Sequence, residues 1–155
     1  MYYGKSGYYI LQNPLKIVNK NSLILMSVST VNETLGMNFV ERGGKIALIK
    51  YKSKLEEQFL RFLDTSSNII AWGYEVVVIP YMFNGKSHKY HVDLYLEMKD
   101  GRKEIWEVKP MDIIKESKDF YGTNMEDEYL KNKAKWQYAR EWGERNNIKF
   151  RIISE

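Results

Sequence analysis

The sequence predicts an α/β domain whose elements run helix, three strands, helix, strand behind an N-terminal extension, and three observations predict it. An amphipathic stretch, "SKLEEQFLRFLD" (53–64), opens the core. Two segments, "KYHVDLYLEM" (89–98) and "KEIWEV" (103–108), flank "KDG" as a hairpin. A long helix with a broad apolar face, "MEDEYLKNKAKWQYAREWGERN" (125–146), leads into an alternating strand, "IKFRII" (148–153).

The extension comes first. Residues 1–21 form an aromatic and basic arm, with Tyr2, Tyr3, Tyr8 and Tyr9 among glycines before "QNP". Such an arm either hugs the surface or docks on a partner or nucleic acid. Residues 22–50 hold two apolar, β-branched runs, "SLILMSVSTV" (22–31) and "KIALIKY" (45–51), which predict strands, with Gly43-Gly44 as a turn between them. In the 53–64 helix, Leu55, Phe59, Phe62 and Leu63 share helical spacing, and "TSSN" ends it. "YEVVVIPY" (74–81) is apolar on both faces, so it predicts a central strand with Pro80 near its end. In the late helix Tyr129, Leu130, Trp136, Ala139 and Trp142 supply the apolar face.

Composition narrows the chemistry. A chain of 155 residues fits one domain able to bury a core without staples. The net charge of +4 favours polyanions, although 20 acidic residues accompany the 24 basic ones. With no cysteine, disulfides and thiolate zinc sites are excluded, and two histidines, His88 and His91, leave little for a His-rich metal centre. No run approaches the length of a membrane span, and "MYYGKSGYYILQNP" lacks the continuous apolar centre of a signal peptide. A cytoplasmic protein without a membrane partner is expected.

The hairpin carries the most specific reading. If Asp100-Gly101 were a two-residue loop, charged and apolar residues would mix on both faces. A three-residue loop, Lys99-Asp100-Gly101 with Gly101 left-handed, separates them. One face then gathers Val92, Leu94, Leu96, Trp106 and Val108. The other sets His91, Asp93, Tyr95 and Glu97 opposite Lys109, Glu107, Ile105 and Lys103. Glu97 and Lys103 make a favourable cross-strand pair. Asp93 and Glu107 do not, because two facing carboxylates cost up to about 1 kcal/mol when exposed and more when buried. Either Lys109, diagonal to Asp93, or a hard divalent cation bound by oxygen ligands could lie between them. The plain alternative is a solvated polar face with the carboxylates splayed apart.

Glu56 also reads two ways. Ser53-Lys54-Leu55-Glu56 fits the capping box, in which Glu56 closes the helix start. Helical geometry also puts it at the edge of the stripe formed by Leu60 and Leu63, near the sheet that the helix covers.

An acidic residue on one strand, Glu-x-Lys on the next and a Glu on a preceding helix together resemble the PD-(D/E)XK nuclease core. Glu56, Asp93 in "HVDLY", and Glu107 with Lys109 in "EVK" carry the resemblance. "YKSKLEEQFLRFLD", "EVVVIPY", "KYHVDLYLEMKDGRKEIWEVKP", "NKAKWQYAREW" and "FRIISE" resemble the head-completion nucleases of tailed phages, themselves similar to TnsA-type transposon endonucleases. The resemblance covers residues 51–155 and implies a restriction-endonuclease-like core with a mixed sheet. Residues 22–50 stand outside it as an insertion or extra strands.

The resemblance further implies Mg²⁺, or Mn²⁺ in its place, held by Asp93, Glu107 and the carbonyl of Val108. Lys109 would orient water, and Glu56 would hold a second ion or a bound water. It also implies cleavage of DNA to leave a 5′-phosphate. Lys131, Lys133, Lys135 and Trp136 would meet the DNA; the plain reading of these lysines is a solvated basic helix face. The leading function is thus a metal-dependent DNA endonuclease of phage head completion, in the host cytoplasm and associated with the virion. A structural connector that docks on portal or neck proteins is a second reading, and a TnsA-like transposon endonuclease is a third.

Overall fold

The computed structural model describes residues 6–18, 23–35, 45–110 and 126–154. Tyr2, Tyr3, the Gly43-Gly44 turn and the loop after Pro110 lie outside the described residues. In the extension, β1 (Gly7–Ile10), β2 (Ile24–Ser27) and β3 (Lys45–Tyr51) form an antiparallel sheet in the order β1-β3-β2. β3 coincides with "KIALIKY", whereas the strand expected over 22–31 stops at Ser27. The Ser27 hydroxyl accepts the Thr30 N–H at 3.2 Å, so the chain turns into helix α1 (Val28–Leu35). A β-branched run becomes helical here because a serine in its middle caps the first turn.

The arm residues that are described belong to the fold. Tyr9 is buried and donates its hydroxyl to Asp64 Oδ2 at 2.7 Å. The Gln12 and Asn13 N–H groups donate to the same carboxylate at 2.7 and 2.9 Å. Lys16 Nζ meets the carbonyls of Leu63, Asp64 and Ser66, where it favours the negative end of the following helix.

That helix, α2 (Lys54–Thr65), starts at Ser53, whose Oγ accepts the Glu56 N–H at 3.1 Å. Leu55, Leu60 and Leu63 are buried, each side chain contributing about 1.5–3 kcal/mol of burial. Phe62 departs from the expected stripe: it is 48% exposed and stacks on Trp106.

The next segment corrects the sequence reading. "YEVVVIPY" is not one central strand. β4 (Ile69–Tyr74) ends before Glu75, whose φ of 54° turns the chain, and β5 (Val78–Phe83) begins in a different sheet. The apolar run that follows Glu75, residues 76–80, hides the break. A Cβ at Gly73 would lie 2.7 Å from Val76, so glycine there lets the turn fold back closely.

The expected strand 89–98 divides in the same way, into β6 (Lys86–His91), paired with β5, and β7 (Leu94–Met98). Residues 92 and 93 cross between the sheets, clamped by Val92 N–H to Val77 O at 3.0 Å and Glu75 N–H to Asp93 O at 2.9 Å.

β7 pairs with β4 on one side and with β8 (Lys103–Val108) on the other. The hairpin register is the expected one, with Leu94 opposite Trp106 and Glu97 opposite Lys103. Met98 and Arg102 close a three-residue loop in which Gly101 has a φ of +93°. Helix α3 (Glu126–Asn146) carries the chain back to β9 (Lys149–Ile153), parallel to β8, which completes the sheet β4-β7-β8-β9. Among the described residues the order from α2 is therefore helix, five strands, helix, strand. The surplus over the expected three strands is the β5–β6 hairpin.

The core lies on both sides of this sheet. Leu94, Leu96, Trp106 and Val108 pack with α2 and the extension. Ile105, with β5, β6 and α3, forms the opposite cluster, which also takes Val92. Val92 was expected beside Leu94, but the crossover at residues 92–93 breaks the alternation. In α3, Trp136 and Ala139 are buried while Leu130 is 38% exposed. A Cβ at Gly143 would lie 2.1 Å from Ile148 O, so only glycine permits this return into β9.

The Asp64 contacts make one prediction. In Asp64→Asn either amide orientation sets an NH₂ group against a donor now satisfied by a carboxylate oxygen. Urea unfolding is expected to show a loss of about 1–3 kcal/mol; an unchanged midpoint would contradict the role given to these bonds.

Candidate active site

Asp93 occupies the crossover between β6 and β7, where the backbone is held by the residue 75–77 turn rather than by a ladder. Its Oδ2 accepts the Val108 N–H at 2.8 Å, which draws it onto the end of β8. Glu107, one residue earlier on β8, is buried, and Tyr90 on β6 donates its hydroxyl to Glu107 Oε2. Asp93 and Glu107 thus face each other at one end of the sheet. Burial first, and Glu107 beside it second, push the Asp93 carboxyl well above the usual carboxylate range; the Val108 N–H and Lys109 act the other way.

Glu56 approaches from the first turn of α2 and is 7% exposed. The capping box is only half formed: Ser53 accepts the Glu56 N–H, but the carboxylate does not return to Ser53. Its Oε1 instead accepts the Lys52 N–H at 3.0 Å and the Tyr74 hydroxyl at 2.9 Å. Burial, then the charge of Asp93, raise its pKa. Glu56, Asp93, Glu107, Val108 and Lys109 all line one cleft of about 330 Å³.

Lys135 joins them from α3. It is half-buried, with Nζ 5.6 Å from the centre of the Tyr90 ring, and burial lowers its pKa while Glu107 opposes that shift. Lys52 and Lys89 also line the cleft, the former bonded to Glu75. Four lysines therefore surround three carboxylates, an arrangement in which phosphate oxygens and a cation can both be accommodated.

The other expected DNA contacts are not brought here. Lys131 borders a separate cleft with His88, Asp127 and Glu128. Lys133 is exposed, with Nζ 5.5 Å from the Tyr129 ring centre. Trp136 is 7% exposed and packed in the core with Ile105, so its indole does not offer a face for stacking on a base. Adjacent helical positions point about 100° apart, which is why Lys135 reaches the cleft and Trp136 the interior.

Among the described residues, no three His, Asp or Glu side chains already stand close enough to hold one ion. Asp93 and Glu107 act directly on each other, and the charge of Asp93 reaches Glu56. The donors are all oxygen, so the chemistry of the set fits a hard cation such as Mg²⁺ rather than a soft metal. Tyr74, Tyr90, Lys52 and Lys89 were missed in the sequence reading. Two of them flank the breaks that split the expected strands, and nothing in the local pattern marks them.

Comparison with known proteins bears on this geometry. Residues 66–155 match the family described as TnsA-like endonuclease N terminal. The chain is also 33% identical over 118 residues to the head completion nuclease of Enterobacteria phage T4, a match covering 69% of this chain and 79% of that protein. Asp93, Glu107, Lys109 and Lys135 fall inside the family match and Glu56 before it. On the matched length and this similarity, the chain belongs to the TnsA-like endonuclease family.

Proposed function

We propose that the protein is a divalent-cation-dependent endodeoxyribonuclease with a restriction-endonuclease-like core, acting on DNA as a head-completion nuclease during phage assembly. The observation that carries this reading is the meeting of Asp93 and Glu107 in one buried cleft beside Lys109. Two buried carboxylates held together are costly unless a proton or a cation is shared between them.

Asp93, Glu107 and the carbonyl of Val108 would hold Mg²⁺, or Mn²⁺, with Glu56 serving a second ion or a bound water. Such a cation, when bound, polarises a phosphate and lowers the pKa of water. The chain's own residues do the rest. Lys109 orients the attacking water and offsets charge developing on the phosphate. Lys52, Lys89 and Lys135 attract the DNA backbone into the cleft. The Tyr74 and Tyr90 hydroxyls hold the carboxylates of Glu56 and Glu107.

A docking role for the extension is a second reading that fits the same chain. Strand β2 lies at the edge of its sheet and exposes 62% of Leu25 and 36% of Ile24. An apolar edge of this kind suits contact with a portal or neck protein of the phage head. The protein would then act in the host cytoplasm and join the virion.

Incubation of linear and branched DNA with the protein is expected to give 5′-phosphate ends in Mg²⁺ or Mn²⁺ and none in EDTA. Asp93→Ala and Lys109→Ala should each slow cleavage by about 10²–10⁴-fold. Variants as active as wild type would sink the catalytic assignment and favour the docking role.

Asp93→Asn should separate stability from activity. Because the folded pKa of Asp93 is raised, the stability its proton supplies is present below the unfolded value and is lost as pH rises through the folded value. The charged form is therefore a burden to the metal-free protein at pH 8. Asparagine can accept the Val108 N–H and donate to Glu107. We expect it to raise metal-free stability by about 1–3 kcal/mol at pH 8, with the gain vanishing near pH 4. Thermal melts in EDTA at both values check this; equal melting temperatures at pH 8 would contradict it.

A further inference from the structure

Each of the three carboxylates in the cleft has one oxygen tied to a fixed donor. Glu56 takes the Lys52 N–H and the Tyr74 hydroxyl both on Oε1, and its Oε2 accepts no hydrogen bond among the described residues. Glu107 takes the Tyr90 hydroxyl on Oε2, and Asp93 takes the Val108 N–H on Oδ2. The donors are not surface groups: Tyr74 is 5% and Tyr90 3% exposed. A phenol is protonated at neutral pH, so both hydroxyls serve as donors to these carboxylates.

We propose that Tyr90 and Tyr74 are positioning residues of the cleft, buried phenols that each pin one oxygen of Glu107 and Glu56 and leave the other for a cation, with Tyr90 governing the tighter site. The inference rests on the nuclease reading and deepens it. A glutamate has three side-chain torsions, the last of them broad, so an unpinned carboxylate samples many orientations before it meets an ion. A phenol on a rigid strand removes that freedom, in the way that outer-shell partners orient metal ligands generally. The two tyrosines lie where the chain breaks: Tyr74 is the last residue of β4, and Tyr90 sits just before the 92–93 crossover that carries Asp93. Lys135 Nζ over the Tyr90 ring adds a contact on the face of the phenol. Glu56 keeps the Lys52 N–H if Tyr74 loses its hydroxyl, whereas among the described residues Glu107 has Tyr90 as its fixed donor and otherwise meets only Asp93, a partner in the same cleft, so the two should not weigh equally.

Calorimetric titration of Mn²⁺ into the DNA-free protein tests this, comparing wild type with Tyr90→Phe, Tyr74→Phe and Tyr81→Phe. Each variant keeps its ring. Tyr81 is a buried phenol of the same cluster that stacks on His88 and lines no part of the cleft, so it serves as the control. Tyr90→Phe is expected to raise the Mn²⁺ Kd about 10–100-fold, Tyr74→Phe by less than about tenfold, and Tyr81→Phe not at all. The Mn²⁺ concentration for half-maximal cleavage should rise in parallel, with the KM for DNA unchanged at saturating Mn²⁺. Should Tyr90→Phe fail to fold, Tyr74→Phe against Tyr81→Phe decides by the same measure. Equal Kd values across the folded proteins, with wild-type cleavage intact, overturn this inference alone. A wild type that neither binds Mn²⁺ nor cuts DNA overturns it together with the nuclease reading.

Discussion

The crossover at Val92–Asp93 is the constraint on which the rest of the site depends. Two backbone hydrogen bonds to the residue 75–77 turn hold it, and they let one continuous stretch of chain serve two sheets. Upstream, β6 pairs with β5 and brings Tyr90 under α3; downstream, β7 joins β4 and β8. Asp93 sits at the junction, free of a ladder and able to turn its carboxylate onto the Val108 N–H. A regular strand would have left it as one more alternating side chain. Irregular backbone at this point aims a functional group that an ideal hairpin could not.

Placing three acidic side chains together opposes folding, and the surroundings reflect that. Glu56, Asp93 and Glu107 are all buried, so water does little to separate their charges. Two phenols, two backbone amides and the nearby lysines supply the compensating dipoles and charges. That balance is incomplete for Asp93, whose pKa remains well above the ordinary range. Two carboxylates buried at such close quarters repel each other unless a proton or a cation lies between them.

The extension contributes through α2. Asp64 at one end of that helix gathers Tyr9 and two backbone amides of the arm, and Lys16 caps the same end. Glu56 lies at the other end, in the first turn. The helix that delivers a carboxylate to the cleft is thus anchored by residues 9–16, which lie before the family match begins. Structure outside the residues matched to the family anchors the helix that carries one acidic group of the candidate site.

Much of this was legible locally. The α2 and α3 helices, β3, the hairpin register and the left-handed Gly101 follow from periodicity, a serine cap and turn chemistry, all of which act within a few residues. The grouping of Glu107 and Lys109 with Asp93 followed from that register, since one shifted residue would have exchanged the faces. What the sequence could not disclose came from contacts between distant segments. The split of 74–81 and 89–98 into strands of different sheets depends on a turn at Glu75 bonding Asp93, and no local pattern records a bond across 18 residues. The same split placed Tyr74 and Tyr90 beside Glu56 and Glu107, and other contacts between distant segments set Lys135 at the cleft, Trp136 in the core and the arm on Asp64. Sequence alone determined which segments are helix or hairpin and which charges share a face; tertiary packing decided which of those charges meet, because only the folded chain sets the distances between them.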